Sequence, residues 1–234
     1  MDADEVRPAA AAGHRPGGQP ESSRRGRPRA ADRQRRRDAL LESALRVFLT
    51  NGYGATSLDL VAAEAGVAKR TIYTSVGDKA DLFVAVVRRL GDRAVAPLAE
   101  GRPASVTALA PFATRLVTMM LSDEAVGLHR LVIGEASNFP DLAHRLYANG
   151  PRRYRVLLAE LLAVVPAARL RVPADQLDEA AEALFTQLLG ERHRRRLFCL
   201  APAPSAVEVK QHVARTLGLF VDPTPGRVGV RRPR

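Results

Sequence analysis

Lys69, Arg70, Thr71, Thr74 and Ser75 fall within seven residues of one another. On a short helix these side chains would point outward together, and all of them can bond phosphate oxygens or the edges of nucleic-acid bases. Bond-making chemistry has no comparable cluster. The sequence contains no GxSxG elbow, P-loop, HExxH, paired CxxC or dinucleotide-binding glycine fingerprint. Its histidines and carboxylates are scattered at spacings that no reaction requires, so a non-enzymatic chain without metal or cofactor is expected.

The elements that would hold these donors are legible around them. Thr56 or Ser57 can cap a helix running to about Ala65, Gly66 breaks it, and a second short helix spans 69–75. Ala62 is small where the two helices must approach. Val61, Val67 and Ile72 supply the apolar contacts that would fix their angle, so residues 58–76 read as a helix-turn-helix. Ahead of it, Asp32 offers an N-cap, Leu41, Ala44, Leu45 and Phe48 recur at helical spacing, and Asn51-Gly52 ends that helix. Asp78 caps a long fourth helix whose apolar stripe (Leu82, Phe83, Val86, Val87, Leu90) fades before Pro97. Further helices are expected at 104–121, 124–137, 140–147, 151–164, 175–199 and 205–220. No strand of useful length and no fixed-period repeat is evident, so the fold class is all-α.

Charge is concentrated at the ends. Of a net +11, residues 24–37 carry +7 (eight arginines, one aspartate) and residues 222–234 carry +3. The remainder is a near-neutral globule. Residues 1–31 are rich in Ala, Pro, Gly and Arg and read as a disordered basic arm, and 222–234 as a basic disordered tail. Arg24-Arg25-Gly26-Arg27-Pro28-Arg29 resembles a minor-groove arm, with Arg27 and Arg29 as contacts; non-specific attraction to phosphate accounts for it equally well. The single cysteine, Cys199, excludes an internal disulfide framework. The absence of a signal-like segment or a long apolar run points to the cytoplasm rather than a membrane.

Three blocks carry a family resemblance: Thr56–Ala62, Ala65–Tyr73 and Lys79-Ala80-Asp81-Leu82-Phe83. In order and spacing they resemble the DNA-binding domain of TetR/AcrR-type transcriptional regulators over residues 38–83. The resemblance implies a homodimer whose first three helices bind double-stranded operator DNA and whose remaining helices bind a small-molecule effector and the second subunit. The elements along the chain place domains at 32–80 and 81–221, and the reading is of a repressor that its effector releases from DNA by tilting the fourth helix. By the same resemblance Thr56, Ser57, Tyr73 and Lys79 would contact phosphates, while Lys69, Arg70 and Thr71 enter the major groove. Arg70 is suited to a bidentate guanine contact. Two residues depart from the family pattern: Ala68 where Ser is frequent, and Val76 where an aromatic is usual.

Farther along, Leu131–Ala136, Phe139–Ala143 and Tyr147–Pro151 resemble the C-terminal domain of AefR-like members. Phe112, Arg115, Met119, His129, Phe139 and Tyr147 are the effector-site candidates, although core packing explains each apolar one taken singly. Two stripes, Leu177/Ala181/Leu184/Leu188 and Val209/Val213/Leu217/Phe220, suit a four-helix dimer interface, with packing inside the one chain as the alternative. The run Arg192–Arg196 reads as the solvated end of a helix, with an acidic partner or DNA as alternatives. An architectural DNA protein that uses only its basic ends is the rival reading. It would lose little discrimination when the third helix is altered.

Overall fold

The computed structural model describes residues 30–99 and 106–222, so residues 1–29 of the arm, with Arg27 and Arg29, and 223–234 of the tail lie outside the described residues, whereas Ala30 and Ala31, expected in the disordered arm, already belong to the first helix. The described residues form ten α-helices, two short 3₁₀ turns and one isolated β-bridge. The first four helices are α1 (Ala30–Ala55), α2 (Leu58–Ala65), α3 (Lys69–Ser75) and α4 (Lys79–Ala99). They are followed by α5 (Leu109–Met120), α6 (Asp123–Glu135), α7 (Pro140–Asn149), α8 (Pro151–Ala163), α9 (Leu177–Leu197) and α10 (Ala206–Leu217).

The helix predicted from Asp32 begins two residues earlier, at Ala30, and Asp32 sits in its first turn paired with Arg35 instead of capping it. Gly52 (φ 78°, ψ 171°) interrupts α1, a conformation that a side chain would strain. α4 continues through Pro97. Its missing N–H removes one hydrogen bond from the last turns of the helix.

Phe48, Tyr53 and Phe83 pack as an aromatic trio at centroid separations of 5.5–5.9 Å. They form the floor beneath α2 and α3. Val61 and Ile72 are wholly buried there, each contributing about 1.5–3 kcal/mol of apolar burial.

Beyond the head formed by α1–α3, α5 runs through the centre of the helical domain formed by α4–α10 and packs against α4, α8, α9 and α10. Ala181, Leu184, Leu188, Val209, Val213, Leu217 and Phe220 are all buried within the single chain, and Leu177 is partly so. The two apolar stripes expected to meet a second subunit therefore face the chain's own core. An apolar stripe reports only that a helix face is covered, and here α5 and α8 provide the cover. The outward faces carry Ala183, Thr186, Gln187 and Gly190 on α9, and Val207, Lys210, Gln211 and Ala214 on α10.

α9 is also broken, at Gly190 (φ 39°, ψ −135°). The arginine run after it is not uniformly solvated. Arg196 is buried, donating to the carbonyls of Leu121 (3.1 Å) and Ala201 (3.0 Å) and pairing with Asp123. No described helix is long and apolar enough to cross a membrane.

Candidate nucleic-acid interface

Ser57, and not Thr56, caps α2: its hydroxyl accepts from the Leu60 N–H at 3.2 Å. Gly66 ends α2 in the left-handed conformation (φ 63°, ψ 34°), turning the chain into α3. Ala68 precedes α3 without any side-chain cap, as expected where serine is missing. Two long-range contacts fix α3 instead. At its start, Lys69 Nζ donates to Asp59 of α2 at 2.8 Å. That hydrogen bond, and then the Asp59 charge, raise the Lys69 pKa. At its end, Arg37 of α1 donates to the Ser75 carbonyl at 2.6 Å, placing a cation at the negative end of the helix. Arg46 ties α1 to α2 through Glu64 at 3.0 Å.

With Ile72 as its buried face, α3 leaves Lys69, Arg70, Thr71, Tyr73, Thr74 and Ser75 exposed; Tyr73 is 53 % exposed. Arg70 has no side-chain partner among the described residues, so its whole guanidinium fork is available. Thr74 and Ser75 are not equally free. The Thr74 hydroxyl donates to the Arg70 carbonyl at 3.0 Å, and that of Ser75 to the Thr71 carbonyl at 2.6 Å.

Two phosphate-contact assignments need correction. Thr56 is buried, and its hydroxyl donates to the Gly52 carbonyl at 2.6 Å, closing the loop behind the break in α1. Lys79 spends its ammonium internally on the carbonyls of Tyr53 (3.0 Å), Gly54 (3.3 Å) and Thr56 (3.0 Å), and lies 4.6 Å from the Tyr53 ring centroid. A chain segment that leaves a helix at Gly52 has unpaired carbonyls, and the first residue of α4 satisfies three of them. Asp78 does cap α4, accepting from the Asp81 N–H at 2.8 Å.

The same loop is gripped from the helical domain. Glu135, at the end of α6, accepts from the Gly54 N–H at 2.9 Å, and Phe139 stacks edge-on against Tyr53 at 5.1 Å. Sequence reasoning gave Glu135 no role, although it lies inside a quoted motif. The sequence marks Arg37 only as part of the basic run 24–37.

The six effector-site candidates separate. Phe112 is core and Phe139 belongs to the junction with the head. Tyr147 is exposed and accepts from Arg155 at 2.9 Å. Arg115, Met119 and His129 converge near the contact of α4, α5 and α6. His129 Nδ1 lies 3.1 Å from His193 Nε2, and burial, then the neighbouring His193, lowers its pKa to about 4. Burial lowers that of His193 too. Near neutral pH the pair is therefore two uncharged imidazoles sharing one hydrogen bond.

Residues 40–86 match the family described as bacterial regulatory proteins, tetR family, and residues 107–222 match the AefR-like transcriptional repressor, C-terminal domain. This chain belongs to the TetR family. As a TetR-family transcriptional regulator, it shares its fold with a family member from Mesorhizobium loti at TM-score 0.62 and 25 % identity, covering 83 % of this chain and all of that one. NalD, the secondary repressor of the MexAB-OprM multidrug efflux pump in Pseudomonas aeruginosa, matches at TM-score 0.56 and 20 % identity over 82 % of this chain and 98 % of its own. The HTH-type transcriptional activator FasR of Mycolicibacterium smegmatis is 40 % identical over 63 residues. That match spans 27 % of this chain and only 29 % of FasR. Family and fold are those of regulators, which are not enzymes.

Proposed function

We propose that this TetR-family regulator is a cytoplasmic, homodimeric repressor that a small-molecule effector releases from its operator. The observation that carries the reading is the recognition helix, buried along Ile72 and held at both ends by Asp59 and Arg37, with Arg70 on its outer face and without a side-chain partner among the described residues. A rigid helix presenting a free guanidinium fork suits bidentate contact with guanine in a major groove. Lys69 and Thr71 flank it, and Ser57 and Tyr73 remain the phosphate contacts. Pairing of two copies through the outward faces of α9 and α10 would present two such helices to half-sites about 34 Å apart or a multiple of that. Effector entry between α4, α5 and α6 would shift α4 and α6. Both hold the Gly52–Thr56 loop, so the shift would change how the heads are spaced.

The test is binding of the wild type, Arg70→Ala and Tyr73→Phe to single-base operator variants at fixed salt. Arg70→Ala should cost about 1–3 kcal/mol on the cognate site and relax preference at one base position per half-site. Tyr73→Phe should weaken all sequences alike by about 0.5–1.5 kcal/mol. An even loss across the panel for Arg70→Ala would make Arg70 a backbone contact, and unchanged discrimination would favour the architectural reading. The direction of control is read from a reporter downstream of the operator. Repression predicts lower transcription with the chain present; the activator role of FasR would give the opposite.

A further inference from the structure

An apolar cavity of about 20 Å³ lies between α4, α5, α6 and α8, walled by Val87, Leu90, Met119, Leu128, His129 and Tyr154. That is space for about one water molecule, so as it stands it admits no effector. Leu90 and Met119 also wall a neighbouring cleft of about 300 Å³ that opens to the surface, a volume at the lower end of small-molecule sites. They are the partition between the two spaces. Methionine, unbranched and with three rotatable bonds, is the side chain best able to swing aside and join them.

The cleft differs from the cavity in its charges. Arg93 and Arg115 line it against a single acid, Glu124; in the adjoining groove that Glu124 also lines, Arg46 is paired with Glu64 and Arg89 with Asp38 and Glu42. Arg115 Nε donates to the Ala94 carbonyl at 3.0 Å, and its terminal nitrogens have no partner among the described residues. Arg93 has none there either. The cleft hydroxyls have less to offer an anion: Thr114 and Thr118 each donate to a carbonyl of their own helix at 2.8 Å. Two guanidinium groups whose terminal nitrogens have no partner among the described residues stand at the mouth of a space whose inner wall is hydrocarbon, the Tyr154 ring and a neutral imidazole.

Resting on the reading of the helical domain as the effector-binding part, we infer that the effector is an amphipathic monoanion. Its apolar chain or ring system enters past Met119 between α4, α5, α6 and α8, and its carboxylate or similar small acidic head pairs with Arg115 and Arg93. A cationic amphiphile would place its charge against both arginines. A neutral one would leave them solvated and gain nothing from them.

Calorimetric titration of the full chain with decanoate and 2-naphthoate, their methyl esters and decyltrimethylammonium tests this. At least one acid should bind about tenfold or more tightly than its ester, as for a hydrogen bond to a charged group. That advantage should shrink in Arg93→Gln and vanish in Arg115→Gln, while Arg115→Lys should retain part of it. Arg93 is exposed, so Arg93→Gln keeps the test valid if an Arg115 variant unfolds. Met119→Phe should weaken acid and ester alike. Failure of both acids to bind, equal binding of acid and ester, an acid preference that survives both glutamine substitutions, or tighter binding of the cation would each overturn the inference. Operator binding without ligand is measured in parallel. A chain that binds DNA but neither acid sinks this inference alone, whereas a chain that binds no DNA sinks the regulator reading.

Discussion

The DNA-reading head and the helical domain are built from the same kind of apolar stripe, yet they place their working residues differently. In the head, the proposed DNA contacts sit on the outside of a short, braced element: Ile72 is buried while Arg70 and Tyr73 are exposed. In the helical domain the candidate site is a gap in packing, bounded by side chains from several helices remote in sequence. A reading surface is local, and a few adjacent residues specify it. A pocket is a shortfall of contacts among many elements, and no one of them encodes it.

Three measurements bear on that contrast. The largest effect is expected from Leu184→Glu combined with Val213→Glu. Both positions are essentially inaccessible within one chain, and a buried unpaired charge costs several kcal/mol. The variant should lose cooperative thermal unfolding altogether. A folded, well-behaved monomer by sedimentation would instead return these residues to the subunit interface.

Next is acid sensitivity of the helical domain. His129 has a folded pKa near 4 against 6.5 for the free side chain, so the unfolded chain takes up its proton first. The stabilising contribution is full above about pH 6.5 and is lost as pH falls toward 4, on the order of 3 kcal/mol for a shift of this size. Urea midpoints between pH 7.5 and 4.5 should fall less steeply in His129→Gln; a parallel decline in both proteins would show that another group governs acid unfolding.

The smallest effect separates the head's braces from its contacts. Lys79→Met removes a cation whose donors are spent on three carbonyls, so stability should drop by about 1–3 kcal/mol. The slope of operator affinity against salt should stay unchanged, because no phosphate counterion is released by that ammonium. A slope reduced by about one would place Lys79 on the DNA after all.

Much of the head could be read directly from the chain. Gly66, Ser57, Asp78 and the buried pair Val61 and Ile72 act as their types and spacing require, since caps and turns are decided within a few residues. That Thr56 and Lys79 turn inward is not legible, because exposure depends on where the loop behind Gly52 folds, which local spacing does not encode. Arg37 reaches α3 from 38 positions away, and Glu135 reaches Gly54 from 81. Charge runs and motifs bring both residues to notice without saying what they touch. For α9 and α10 the periodicity correctly marked a covered face. It carried no information on whether the cover came from the same chain or a second one, and burial of Ala181, Leu184, Val209 and Val213 against their own neighbours decides that question.

The grip on the Gly52–Thr56 loop is two-sided, with Lys79 holding its carbonyls and Glu135 of α6 its Gly54 N–H. A joint shared in this way cannot transmit in one direction only. If effector binding lowers operator affinity by some factor through this loop, operator binding must lower effector affinity by the same factor. A molecule seated on DNA would then need a higher effector concentration to respond than one free in solution, and weakening the joint, as in Glu135→Gln, would bring the two thresholds together.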